Sequence, residues 1–141
     1  MMLSGQCLCE SIKFQVLKEI DVIYQCHCSL CRKQSGTHAN HATMIHQDDF
    51  KWLNDLKCIQ TYKKATGFTS SFCKTCGSPV PNQIGNTSCI WIPLGLLEQP
   101  IYPTKRLNFC TSSQANWENL VKSNQEFASL PDWDFLEKVF K

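Results

Sequence analysis

The sequence predicts a mainly β fold. Three observations carry that prediction. Short runs alternate apolar and polar residues, several of these runs lead straight into bunched cysteines, and helical signals are weak and late. Ile12, Phe14 and Val16 interleave with Lys13 and Gln15, the period-two pattern of a half-buried strand. DVIYQ at 21–25 is a second apolar segment and runs into a cysteine cluster. ATMIH at 42–46 and KCIQTY at 57–62 read as further strands bounded by polar turns. FTSSF at 68–72 feeds the CKTCG segment. SCIWIPLG at 88–95 is the most apolar strand and stops at Pro93 and Gly95, and KRLNFC at 105–110 is a further candidate.

Two short helices are expected near the end of the chain. ANWENLVK at 115–122 has room for two turns, with Ser112 or Ser113 near its start. DWDFLEKVF at 132–140 follows Pro131 and sets Trp133, Leu136, Val139 and Phe140 on one face. No internal repeat or low-complexity linker marks a boundary, so residues 1–141 read as a single domain.

Composition narrows the functional classes. A chain of 141 residues with 43% hydrophobic content can bury a core without staples and is not a disordered segment. A net charge of +2, with Lys and Arg spread along the chain, argues against nucleic acid or an acidic membrane as the main partner. No stretch approaches the roughly 20 apolar residues that span a bilayer. The opening MMLSGQCLCES has neither a basic nor an apolar signal region, so a cytoplasmic, reducing location is expected. The oligomeric state is left open.

Of the ten cysteines, seven sit in short clusters: Cys7 and Cys9; Cys26, Cys28 and Cys31; Cys73 and Cys76. Disulfide frameworks spread their cysteines, whereas metal knuckles bunch them so that one loop wraps an ion. CKTCG at 73–77 is the strongest motif: two thiols separated by two residues, then Gly77, form a knuckle in which glycine tolerates a left-handed turn. A redox dithiol would instead need a thioredoxin-like βαβ context, which is missing here. Cys7 and Cys9, helped by Gly5, are the natural second pair, and Cys7, Cys9, Cys73 and Cys76 would form a closed, structural zinc site.

Cys26, Cys28 and Cys31, in the tight loop CHCSLC, then supply three thiolates with the fourth place open, the pattern of a catalytic zinc. That place goes to His38, His41, His46, a lone cysteine, water or a substrate thiolate. A closed site of three cysteines and a histidine is the structural alternative. His27, flanked by two ligands, should point elsewhere. Arg32 and Lys33 follow at once; they offset the thiolate charge and can hold the carboxylates of an anionic ligand. Cys58 and Cys89 read as small hydrophobes in apolar strands, and Cys110 likewise unless it lies near the site. Trp91, Trp117 and Trp133 read as core or pocket wall.

GQCLC, CHCSLCRKQSG and FCKTCGSP, in that order, with GLLEQP at 95–100 and Trp117, closely resemble the glutathione-dependent formaldehyde-activating enzyme family, which includes centromere protein V. The resemblance spans nearly the whole chain. It implies a zinc-bearing β-tent fold of twisted antiparallel sheets and two zinc ions per chain, partitioned as above. It also implies an enzyme of the carbon–sulfur lyase class, joining formaldehyde to glutathione as S-(hydroxymethyl)glutathione. Glu10 stands where the family has glycine, and Glu98 where it has aspartate. In the expected chemistry a thiol enters the open zinc position, loses its proton and attacks the aldehyde carbon, while His27, Ser35 or a water protonates the new alkoxide. The alternative is a non-catalytic module that binds thiols or another protein.

Overall fold

The computed structural model describes residues 2–118 and 124–141. In chain order the strands are β1 (Leu3–Gln6), β2 (Lys13–Val16), β3 (Val22–Cys26), β4 (Asn40–His46), β5 (Phe50–Trp52), β6 (Ile59–Lys63), β7 (Thr69–Cys73), β8 (Asn82–Gln83), β9 (Cys89–Pro93), β10 (Lys105–Phe109) and β11 (Gln125–Glu126); the helices are α1 (Ser29–Ser35) and α2 (Trp133–Phe140). The fold is mainly β, as the alternating segments predict. Among the described residues no helix is long and apolar enough to cross a membrane. The chain forms two compact units, one of Met1–Glu19 with Met44–Ile101 and one of Ile20–Thr43 with Tyr102–Lys141. The boundary falls within β4.

In the first unit β2 lies between β1 and β5, both antiparallel to it, and β6–β7 and β8–β9 are antiparallel pairs. The alternation in β2 sends Phe14 and Val16 inward with Ile12 just ahead, all fully buried. Fully burying one such side chain contributes roughly 1.5–3 kcal/mol. Phe14 stacks on Phe50 at 5.7 Å and meets Trp52 edge-on at 6.4 Å. Gly5 pairs with Phe14 across the strands, and a Cβ at Gly5 would stand 2.2 Å from Phe14 Cζ. The missing side chain is what lets the ring lie over β1. Only the latter part of KCIQTY is strand; Leu56–Cys58 is a 3₁₀ turn capped by Asp55.

In the second unit β3 pairs antiparallel with β4 on one edge and parallel with β10 on the other, and β11 extends β10 in parallel. This sheet is therefore mixed. Tyr24 and Phe109 stack at 4.9 Å, Phe140 meets Tyr24 edge-on at 5.8 Å, and Phe127 links Phe109 to Phe135. Helix α2 begins as expected: the Asp132 carboxylate accepts the Phe135 N–H at 2.9 Å. Its buried residue is Leu136. Phe135, absent from the expected apolar face, contributes through its ring contact with Phe127. Of the helix expected at 115–122, residues 119–122 lie outside the described residues; at 115–118 the chain makes a turn, with Glu118 N–H donating to Ala115 O at 3.2 Å.

A further element departs from expectation. CHCSLCRKQSG is not a simple loop: Ser29–Ser35 form α1. Cys28 is its N-cap, with Sγ accepting the Cys31 N–H at 3.3 Å, and Gly36 closes it in the left-handed conformation at φ +70°.

Candidate metal centres

Cys7 and Cys9 leave β1, and Cys73 and Cys76 leave β7. The sulfurs of these four all lie within 4.8 Å of one another, so they could hold a metal ion. Cys9 Sγ is 3.7 Å from Cys7 Sγ and 3.7 Å from Cys73 Sγ. Four sulfurs at about 2.3 Å from a tetrahedral ion stand about 3.8 Å apart, so the spacing fits. Local backbone geometry makes this convergence. Gly77 N–H returns to Cys73 O at 2.8 Å with φ +79°, the left-handed turn expected of the knuckle, and Cys73 N–H donates to Ser78 O at 2.9 Å. On the other arm Ile12 N–H donates to Cys7 Sγ at 3.3 Å. Cys7, Cys73, Ile12 and Val80 form one buried cluster, with Cys58 and Cys76 packed against it.

The electrostatics divide the four sulfurs. Burial pushes the Cys7 thiol up to about 11, whereas the Ser78 hydroxyl brings Cys76 down to about 5 and the Ser11 hydroxyl lowers Cys9. The metal-free chain therefore places thiolate charge on Cys76 and keeps Cys7 neutral. A divalent cation offsets the repulsion between four thiolates.

The Cys7–Cys9 arm carries strain. Glu10 N–H donates to Cys7 O at 3.0 Å, and Glu10, the residue after the second cysteine, holds φ +67°. A side chain in that region costs roughly 1–2 kcal/mol, against roughly 0.4–1 kcal/mol for the extra unfolded-state freedom of glycine. Glu10→Gly is therefore expected to raise stability by about 0.5–1 kcal/mol, read from the urea midpoint at unchanged slope.

Cys26, Cys28 and Cys31 form a second group whose sulfurs also lie within 4.8 Å of one another. Cys26 is the buried last residue of β3, Cys28 caps α1, and Cys31 sits in its first turn. In the metal-free chain the Cys26 and Cys31 thiols donate to Cys28 and pull it down to about 2, while Cys26, the donor, is held far above the usual thiol range. One thiolate is thus shared among three sulfurs. No histidine or carboxylate among the described residues joins either group.

His27 is fully buried and points away from its neighbouring sulfurs, as expected. Nδ1 lies 2.6 Å from Glu118 Oε1 and Nε2 lies 2.9 Å from Asn108 Oδ1. With both ring nitrogens engaged, His27 can neither ligate a metal nor reach a substrate. The Ser35 hydroxyl is likewise committed, to Cys31 O at 2.9 Å. Instead the structure brings His38 forward: its side chain is 29% exposed, Nε2 lies 3.7 Å from Glu118 Oε2, and its ring is 6.1 Å from that of His27. His41 meets His38 edge-on at 5.3 Å. His46 belongs to the other unit, where its Nδ1 accepts from Asp48 N–H at 3.2 Å.

Lys33 is exposed, whereas Arg32 Nε is buried with no hydrogen-bond acceptor among the described residues. Trp117, expected as core or pocket wall, is 66% exposed and stands edge-on to His38 at 6.4 Å. Glu118 and Cys110 are the residues sequence reasoning underrated. Cys110 Sγ is 3.8 Å from Cys26 Sγ.

A family profile described as glutathione-dependent formaldehyde-activating enzyme matches residues 2–113. No curated protein is similar enough to this chain to match. A Rhodobacter sphaeroides protein of known crystal structure superposes with a TM-score of 0.57 at 20% identity, covering 69% of this chain and 89% of that one. At that identity the likeness supports the fold alone.

Proposed function

This chain belongs to the glutathione-dependent formaldehyde-activating enzyme family, and from that premise we propose that it joins an aldehyde to a thiol, with formaldehyde and glutathione as substrates and S-(hydroxymethyl)glutathione as product. One observation carries the proposal: three cysteine sulfurs converge at the start of α1 with no histidine or carboxylate among the described residues joining them. Two zinc ions per chain fit the two groups, one held by Cys7, Cys9, Cys73 and Cys76 and one by Cys26, Cys28 and Cys31. The donor set suits zinc, which takes thiolates at tetrahedral sites. The profile match runs through both units and supports reading the chain as one domain, and ten free thiols suit the reducing cytoplasm.

Zinc at the three-cysteine site supplies positive charge that favours thiolate over thiol in a ligand beside it. The chain does the rest. Arg32 and Lys33 hold the carboxylates of the thiol; the orphaned Arg32 Nε is a buried donor that an anionic ligand would satisfy. The sulfur attacks the aldehyde carbon, the carbonyl π pair moves to oxygen, and the proton lost by the thiol ends on that oxygen. His38, partly exposed and backed by Glu118, is the proton carrier in place of the sealed His27.

The decisive measurement is adduct formation followed by NMR exchange against the uncatalysed rate, paired with glutathione calorimetry and zinc content. Two zinc ions per chain and acceleration at catalytic protein concentration are expected. Binding without acceleration would leave the non-catalytic module as the function.

A further inference from the structure

We propose that Cys110 supplies a fourth sulfur to the ion held by Cys26, Cys28 and Cys31 when no thiol ligand is bound, and yields that place to an incoming thiol. The exchange half of this inference rests on the thiol-binding reading above; the ligation half does not.

The sheet brings Cys110 to the site. β10 runs parallel to β3 with Phe109 directly beside Cys26, and His27 N–H locks the pair by donating to Phe109 O at 2.9 Å. The next residue, Cys110, leaves the strand at φ +60° and ψ +40°, and its Sγ stands 3.8 Å from Cys26 Sγ. That is the edge of a sulfur tetrahedron around zinc, about 3.8 Å, and it agrees with the 3.7 Å edges of the four-cysteine group. The competing protein ligands are otherwise placed: both His27 nitrogens are engaged, and His38 faces Glu118.

Cys110 nevertheless stands outside the trio whose sulfurs all lie within 4.8 Å of one another. Its sulfur contact with the trio is to Cys26. A ligand on one edge, carried by a single residue past a strand end, is suited to exchange. The exchange balances: the incoming thiol gives its proton to the departing Cys110 sulfur, so one thiolate replaces another and the charge of the site is unchanged.

Cadmium NMR of the metal-exchanged full chain tests this site by site, because the shift reports how many sulfurs bind each ion. In the wild type without added thiol, two resonances in the four-sulfur range are expected. Cys110→Asn, which suits the left-handed backbone, should move one resonance upfield into the three-sulfur range and leave the other in place. A wild-type resonance already in the three-sulfur range overturns the proposal whether or not the variant folds, as does a variant spectrum with both resonances unmoved. Glutathione added to the variant should restore the shifted resonance. If it does not, while the first two results hold, the thiol-binding reading and the exchange fail and Cys110 stands as a permanent ligand.

Discussion

Cys73→Ser is expected to abolish folding of the unit formed by Met1–Glu19 and Met44–Ile101. A strong chelator acting on the wild-type chain should do the same. Cys73 is fully buried at the end of β7, in one cluster with Cys7, Ile12 and Val80. Its sulfur lies within reach of Cys9, 64 positions earlier in the sequence. The four-sulfur group therefore joins two distant segments at the centre of that unit's packing. Structural zinc contributes on the order of 10 kcal/mol to small zinc-dependent folds, comparable with the roughly 5–15 kcal/mol of total stability of an ordinary domain. If the four sulfurs hold zinc as proposed, removing one of them loses most of that term. It also leaves a serine hydroxyl buried where a thiolate was, at a cost of roughly 1–3 kcal/mol. Far-UV circular dichroism, with and without chelator and after zinc is restored, checks the expectation. Cys58→Ser is the control, because Cys58 packs against the same cluster but belongs to neither sulfur group. That change should cost only about 1 kcal/mol. A cooperative melt that chelation leaves unmoved would remove the structural role from the four-cysteine group.

What the sequence discloses about this protein follows how local the physics is. The alternation around Phe14 is a property of adjacent residues, so β2 and its buried face are legible. Both sulfur groups are legible for the same reason: a knuckle is a short-range device, and only the pairing of Cys7 and Cys9 with Cys73 and Cys76 needs the fold. Helix α1 is hidden because none of its residues is buried, which leaves no apolar stripe to detect, and because its cap is a cysteine rather than one of the usual hydroxyl or carboxamide residues. The parallel pairing of β10 with β3 joins residues more than eighty positions apart, and nothing local encodes it. That pairing is what puts Cys110 beside Cys26 and seats Asn108 against His27, so the elements around the trio that bear on its chemistry are those the sequence conceals. One hint was available. With Cys26 and Cys28 assigned as ligands, His27 between them had to point elsewhere, and a histidine buried there needs a partner. Glu118 and Asn108 are that partner pair.

If the chain carries out the proposed reaction, Cys28→Ser should remove it while leaving the chain folded, and the reason lies in the two roles proposed for one sulfur. As N-cap of α1, Cys28 Sγ accepts the Cys31 N–H at 3.3 Å. Serine is among the preferred residues for that position, so its Oγ inherits the bond and the helix persists. As a proposed ligand, Cys28 is the sulfur of the trio that carries negative charge in the metal-free chain, pulled down to about 2 by the Cys26 and Cys31 thiols. A serine hydroxyl stays protonated at every working pH and cannot replace an anionic sulfur. Only Cys26 and Cys31 of the trio then remain, with Cys110 beside Cys26 at the edge of the site, and zinc affinity there should fall by more than the roughly 100-fold that loss of an outer-shell partner costs. The expected outcome is one zinc per chain instead of two, a melting temperature within a few degrees of wild type, and adduct formation at the uncatalysed rate. The opposite pattern is just as informative. A variant that keeps both ions and the wild-type rate would exclude the trio from the reaction. A variant that loses its ion and keeps the rate would place the chemistry elsewhere on the chain, with His38 and Glu118 the first groups to replace.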